Sequence, residues 1–167
     1  MLSLRRIQLD DEARFLEAVA RSVALHQPWV SPPATSAAFR DRLSKCDGRW
    51  NVSYLALAPS GDLVACINVT EIVRGPFQSA YLGYYVFAPF DGKGLMKQAM
   101  KLVISEAFGP LGLHRLEANI QPANERSIGL VRSLGFRREG FSPRYLKVGD
   151  AWCDHERYAL TAEEWTC

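Results

Sequence analysis

The stretch "YLGYYVFAPFDGKGLMKQAM" (81–100) runs from an aromatic-rich segment, through two glycines one residue apart, into an amphipathic run. Tyr, Val and Phe favour a pleated strand. From Leu95 onward, Met96, Ala99, Met100, Val103, Ile104 and Ala107 recur at helical spacing, and Gly109-Pro110 stops the run. Glycines between a strand and a helix let backbone approach an anion closely. The free N–H groups of the first helical turn then supply donors, and the helix dipole favours negative charge there. Residues 91–96 are therefore a candidate phosphate cradle. They do not form a Walker A loop, because Lys93 is followed by Gly94 and Ala88 stands where a glycine is needed. Nor do they fit a dinucleotide fingerprint, since Lys97 replaces the third small residue and the preceding strands form hairpins rather than a βαβ unit. On the glycines alone, a tight turn without a ligand is an equal reading.

Working outward, "VSYLALA" (52–58) and "LVACINVTEI" (63–72) flank the turn signal "PSGD", and "RGPFQ" turns the chain again into 79–87. Before them lie a first strand at 3–9, a helix capped by Asp10 or Asp11 with Phe15, Leu16, Val19, Ala20 and Val23 inward, and a proline-broken loop at 26–36. A second helix is capped by Thr35 or Ser36 and stops at Gly48. After the central helix come a strand at 114–120, a short helix over 124–136, and a closing hairpin of 140–148 and 151–160 turned by Gly149-Asp150. The order predicts one α+β domain over 1–167 with no repeat, linker or low-complexity segment.

The composition fits that reading. The 167 residues are 48% hydrophobic and 23% charged, with a net charge of +2 and a pI near 8.4. That charge is too mild to point to nucleic acid, and no apolar run approaches the ~18 residues of a membrane span. The N-terminus has no signal-peptide pattern, and a cytoplasmic protein is expected. Cys46, Cys66, Cys153 and Cys167 are scattered and read as reduced thiols. His26, His114 and His155 pair with no cysteine at ligand spacing, so no metal is expected.

"LGYYVFAPFDGKGLMKQAM" resembles the acetyl-CoA signature of the GNAT superfamily. "ANIQPANERSIGLVRSLGFRREG" (118–140) is similar to the same superfamily's asparagine-headed helix. Within it the chain most resembles the RimJ/RimL group of ribosomal-protein alanine N-acetyltransferases, through "SVALHQPWV", "VRGPF", "HRLEAN" and "DHERYALTAEEW". The resemblance is dense from about 51 to 165. It implies a mixed, mostly antiparallel sheet of about seven strands with about four helices, splayed at a central parallel pair, with Gly83 as a bulge. It implies acetyl-CoA as cosubstrate, held by Tyr84, Tyr85 and Val86 on the strand and by Asp91, Gly92, Lys93, Gly94, Leu95 and Met96 in the loop and helix. Pro89 and Asp91 depart from the usual loop, which a cradle built on main-chain N–H groups tolerates. Dimers are common in the resembled group.

The resemblance gives Asn124 the pantetheine arm and Ser127 the proton for the leaving sulfur. Read from the residues alone, Asn124 is a good N-cap and Ser127 an ordinary first-turn residue. Relatives place a glutamate five residues before the helix-opening asparagine or nineteen after the serine; here Asn119 and Leu146 stand there. An α-amine with a pKa of ~7.7–8.0 needs a base less than a lysine near ~10.4 does. That favours a protein N-terminal amine, or a water held by Asn119, with Glu117 as a further candidate base or an ion-pair partner. Trp29 and Tyr145 are candidate walls of the acceptor pocket or plain packing residues. Two other functions stay open: acetylation of a small amine, and a silent CoA-binding module.

Overall fold

Alternation along the strands decides the layers. The computed structural model describes residues 1–166, so Cys167 lies outside the described residues. Its strands are β1 (Ser3–Arg6), β2 (Val52–Leu57), β3 (Leu63–Val73), β4 (Ser79–Val86), β5 (Arg115–Ile120), β6 (Arg137–Val148) and β7 (Ala151–Thr161). They form one mixed sheet in the order β1-β2-β3-β4-β5-β7-β6, antiparallel except between β4 and β5. β2 is buried along its whole length and β3 over most of it, as strands covered on both faces must be.

The helices are α1 (Glu12–Ala20), α2 (Val23–His26), α3 (Ser36–Ser44), α4 (Leu95–Phe108) and α5 (Glu125–Ser133). On one face of the sheet, Ala99, Met100, Val103 and Ile104 of α4 and Val131 of α5 pack with Ile67, Leu82, Leu116 and Tyr158. On the other, Phe15 of α1 and Phe39 of α3 pack with Leu55, Cys66 and Phe87. The Phe15 and Phe39 rings lie 5.1 Å apart, which adds about 1 kcal/mol beyond their burial.

Asp11 is expected to cap the first helix, and it sits at the cap position, but its carboxylate makes no cap bond there. It accepts from the guanidinium groups of Arg5 (2.8 Å) and Arg14 (2.8 Å) and from the Gln8 N–H (2.9 Å). Burial pushes this carboxyl up, but those donors outweigh it and hold it at about 2. The helix also ends sooner than its apolar spacing suggests. It ends at Ala20, with Arg21 as its C-cap, so Val23 falls outside it and is exposed; Ala20 is exposed too, while Phe15, Ala18 and Val19 are inside the core. Thr35 caps α3, accepting from the Ala38 N–H at 3.2 Å.

The parallel pairing of β4 with β5 lasts only from Ser79–Arg115 to Tyr81–Glu117; beyond it the strands part. Gly83 is not a bulge, since it pairs with Asn68 in unbroken register from Tyr81 to Val86. The register shift falls on β3 instead, between Thr70 and Val73, where Glu71 takes φ 52°. None of the described helices is long and apolar enough to cross a membrane.

Candidate active site

The gap left by β5 exposes one side of β4. The Phe87 N–H donates to the Val64 carbonyl, and Tyr85 and Gly83 lie two and four residues back in the same register. In an antiparallel ladder the intervening residues point the other way. The C=O of Leu82 and the N–H and C=O groups of Tyr84 and Val86 therefore face the gap. The Val86 carbonyl accepts from His26 Nε2 at 2.9 Å. Side chains alternate too: Tyr84 turns to the α4/α5 face and Tyr85 to the α1/α3 face.

Two clefts meet across this strand. One, of about 780 Å³, lies on the α4/α5 side between Tyr84, Val86, Asp91, Gly92, Gly94 and the start of α5. Gly92 (φ 70°) and Gly94 (φ 71°) have left-handed backbone, and a Cβ at either would meet nothing within 4 Å, so the loop opens onto free space. Gly94 is the N-cap of α4, whose first N–H groups thus lack a side-chain cap. An anion fits such a place, with Met96 and Lys97 on the cleft wall. Leu95 packs into the core, and the Lys93 ammonium sits 5.8 Å above the Phe90 ring, so neither is among the residues that line the cleft.

At the inner end of this cleft, Tyr84 Oη and Ser127 Oγ lie 2.6 Å apart. Burial pushes the Tyr84 phenol up, well above the usual tyrosine range, and the bond to Ser127 offsets part of that rise. The phenol is therefore neutral and keeps its proton for donation. Asn124 caps α5 by accepting the Ser127 N–H at 3.2 Å, which spends its Oδ1 and leaves Nδ2 for a ligand. The sequence gives no direct sign of the Tyr84–Ser127 bond, because the two residues are 43 positions apart. His26 is likewise missed as a site residue. It lines the same cleft and braces Val86, with burial lowering its pKa against the raising effect of that bond.

The second cleft, of about 710 Å³, lies on the α1/α3 side. Asn68, Thr70, Tyr81, Gly83, Tyr85 and Asn119 line its sheet side; Trp29 and Tyr145 wall it, and Leu146 reaches it from β6. Trp29, Val30, Tyr84 and Tyr85 belong to both clefts. Tyr145 and Leu146 arrive through an irregularity: pairing jumps from Ser142–His155 to Leu146–Cys153, with Arg144 at φ 47° and its N–H on Asp154 at 2.7 Å. The hydrogen bond that Tyr81 donates to Tyr145, with burial and the nearby Glu117 charge, pushes its phenol up to about 12. Asn119 Oδ1 is buried without a partner. Glu117 is in an ion pair with Arg115 at 2.9 Å, and Arg115 also holds Glu139. Among the described residues no His, Cys, Asp and Glu group is arranged to hold a metal ion.

Residues 1–137 match the model of the acetyltransferase (GNAT) domain. The probable N-acetyltransferase YjcK of Bacillus subtilis is 33% identical over 73% of this chain and 66% of its own length. The ribosomal protein uS5-alanine N-acetyltransferase of Escherichia coli is 38% identical over 63% of this chain and 54% of its own length. The chain thus spans between about half and two thirds of these relatives. Mycobacterium smegmatis RimJ, solved in complex with CoA-disulfide, superposes with a TM-score of 0.84 at 28% identity, covering 98% of this chain and 83% of that one. With the split β4–β5 pair, the glycine loop and the asparagine-headed helix in place, the chain belongs to the GNAT acetyltransferase family.

Proposed function

We propose that this protein is an acetyl-CoA-dependent N-acetyltransferase whose acceptor is a protein N-terminal α-amine. The observation that carries the reading is the pair of clefts joined at Tyr84–Tyr85, with the Tyr84–Ser127 hydrogen bond at the junction. A thioester on one side of β4 and an amine on the other meet there directly.

In this reading the main-chain N–H groups at 92–96 take the diphosphate, and the β4 edge and Asn124 Nδ2 take the amides of the pantetheine arm. Acetyl-CoA supplies the activated acyl group. The neutral amine, held in the Asn119 cleft, forms the new C–N bond as the C–S bond breaks. Ser127 gives its proton to the departing sulfur and is resupplied by Tyr84, and the proton lost by the amine returns to Tyr84 through water. Neither position where relatives carry a glutamate supplies a base, because Asn119 and Leu146 stand there, and Glu117 is held by Arg115; Glu71, the carboxylate on the lining, sits exposed at the bend of β3. An α-amine near pKa ~8 supplies its own neutral fraction, which supports that acceptor over lysine.

The test offers acetyl-CoA with unacetylated peptides and with lysine side chains and polyamines, follows thiol release, and maps the product by mass spectrometry. Acetyl on the peptide α-amine is expected. Transfer confined to side-chain or polyamine nitrogens would replace the proposed acceptor.

A further inference from the structure

Beneath the acceptor cleft runs a chain of buried hydrogen bonds that the acetyl-transfer steps do not use. Cys46 Sγ–H donates to Ser53 Oγ at 3.2 Å, and Ser53 Oγ–H donates to Asn68 Oδ1 at 2.7 Å. Cys66 Sγ–H approaches the same Oδ1 at 3.7 Å. Ser53 and Asn68 are 2% and 5% exposed, so water does not compete for these bonds. Two donors on Oδ1 fix which way the amide points, and Nδ2 is turned toward the cleft. The residue opposite on β4 is Gly83, and even a Cβ built there would come no nearer than 4.0 Å to Nδ2. Burial raises the Tyr85 phenol and a hydrogen bond from Asn68 acts against that rise, so one Nδ2 hydrogen turns to Tyr85 and the other stays available on the cleft floor.

Arg42 of α3 lines the same cleft. Among the described residues its guanidinium has no ion-pair or hydrogen-bond partner, although it is half-buried. Its charge reaches the floor, where it acts to lower the Tyr85 phenol and the Cys66 thiol against the burial that raises both. Lys147 adds a second cation to the lining, and Glu71 is the only carboxylate in it. Elsewhere on the floor, Asn119 Oδ1 is an acceptor without a donor. The floor therefore offers donors and positive charge at Arg42 and Asn68 and a lone pair at Asn119. A polyamine, cationic throughout, matches only the Asn119 side of this pattern.

We propose that the acceptor carries a carboxylate, bound by Arg42 and Asn68 Nδ2, while its amine lies toward Asn119. The proposal rests on the N-acetyltransferase reading and narrows its substrate class. A planar guanidinium and an amide donor lining one cleft suit a carboxylate, which accepts two bonds in one plane. The carboxylate has two possible sources, an acidic side chain near a peptide N-terminus or the α-carboxylate of a free amino acid.

The experiment uses matched acceptors: peptide amides beginning Ala-Glu, Ala-Gln and Ala-Lys, and alanine beside alaninamide. Each is titrated into the protein saturated with CoA, so that binding is read without turnover, and each is then assayed with acetyl-CoA. Ala-Glu over Ala-Gln by tenfold or more in affinity and kcat/KM assigns the side chain; alanine over alaninamide assigns the α-carboxylate. Arg42→Gln removes that preference, Arg42→Lys restores part of it, and thermal unfolding of both variants checks the fold. Equal binding of carboxylate and amide partners, or a preference that survives in Arg42→Gln, overturns the site. A carboxylate preference in binding without acetyl transfer would uphold the site and remove the acetyltransferase reading instead.

Discussion

Tyr84 Oη and Ser127 Oγ share one hydrogen bond of 2.6 Å across the gap that β5 vacates. The bond ties a strand residue to the first turn of α5 and makes a two-step proton path. Ser127→Ala is expected to lower kcat by ~10² or more with little change in KM for acetyl-CoA. Tyr84→Phe keeps the serine and should cost less, about tenfold, again in kcat. The double variant should be no worse than Ser127→Ala, because the two act as one unit. Additive losses in single-turnover kinetics would separate the two hydroxyls.

Gly94 tests the cradle with a paired substitution. Its left-handed backbone strains most side chains, but asparagine and aspartate tolerate it comparably. Gly94→Asn and Gly94→Asp then differ mainly by one negative charge beside the diphosphate. A penalty of about 1 kcal/mol predicts CoA binding at least fivefold weaker in the aspartate variant by calorimetry. Equal affinities would place the diphosphate elsewhere.

The pH dependence of turnover distinguishes a base from none. Without a side-chain base, kcat/KM rises with pH until the free amine's own pKa, about 8 for a peptide terminus. The limb should move with the acceptor when two peptides of different α-amine pKa are compared. Glu117→Gln should leave it in place, since that carboxylate is held by Arg115. A limb near pH 6–7 that ignores the acceptor and vanishes in Glu117→Gln would make Glu117 the base.

His26 predicts a pH dependence of stability. Burial lowers its pKa, so the folded protein holds fewer protons than the unfolded chain as the pH falls through the ordinary histidine value of ~6.5. The stability it contributes is full above that pH and declines below it. Thermal unfolding between pH 8 and 5 should show a steeper acid decline for wild type than for His26→Gln, which starts about 1 kcal/mol less stable for want of the bond to Val86. Parallel curves would mean that His26 is protonated as easily folded as unfolded.

Sheet, helices and glycine loop were legible because each has a local signal: period two in the strands, Thr35 and Asn124 as caps, and Gly92 and Gly94 before an amphipathic run. The early end of α1 was not, since Val23 continues the apolar spacing past the helix end at Ala20. Gly83 misled for a similar reason. Glycine suits a bulge, but here it clears space above Asn68, and the bulge is carried by Glu71, a residue with no such signature. The site's chemistry was half legible. Tyr84, Asn124 and Ser127 sit in local motifs, whereas the Tyr84–Ser127 bond and the places of His26 and Arg42 depend on pairings between distant elements.

The interrupted register of β6 has a consequence beyond the cleft it helps to wall. β6 is the last strand of the sheet, and among the described residues its outer side has no partner strand. A free strand of that length invites a second chain to pair with it. Pro143 has no N–H to offer, Arg144 is turned left-handed and its N–H is taken by Asp154. The open border is thus broken in the middle, where a straight strand would be most adhesive. Deleting Pro143 and Arg144 would restore one-to-one pairing with β7 from Gly140 to Val148, leaving the shift between Arg138 and Gly140. It would also remake the wall that Tyr145 gives the cleft and leave a longer straight edge, trading a binding wall for a surface prone to self-association.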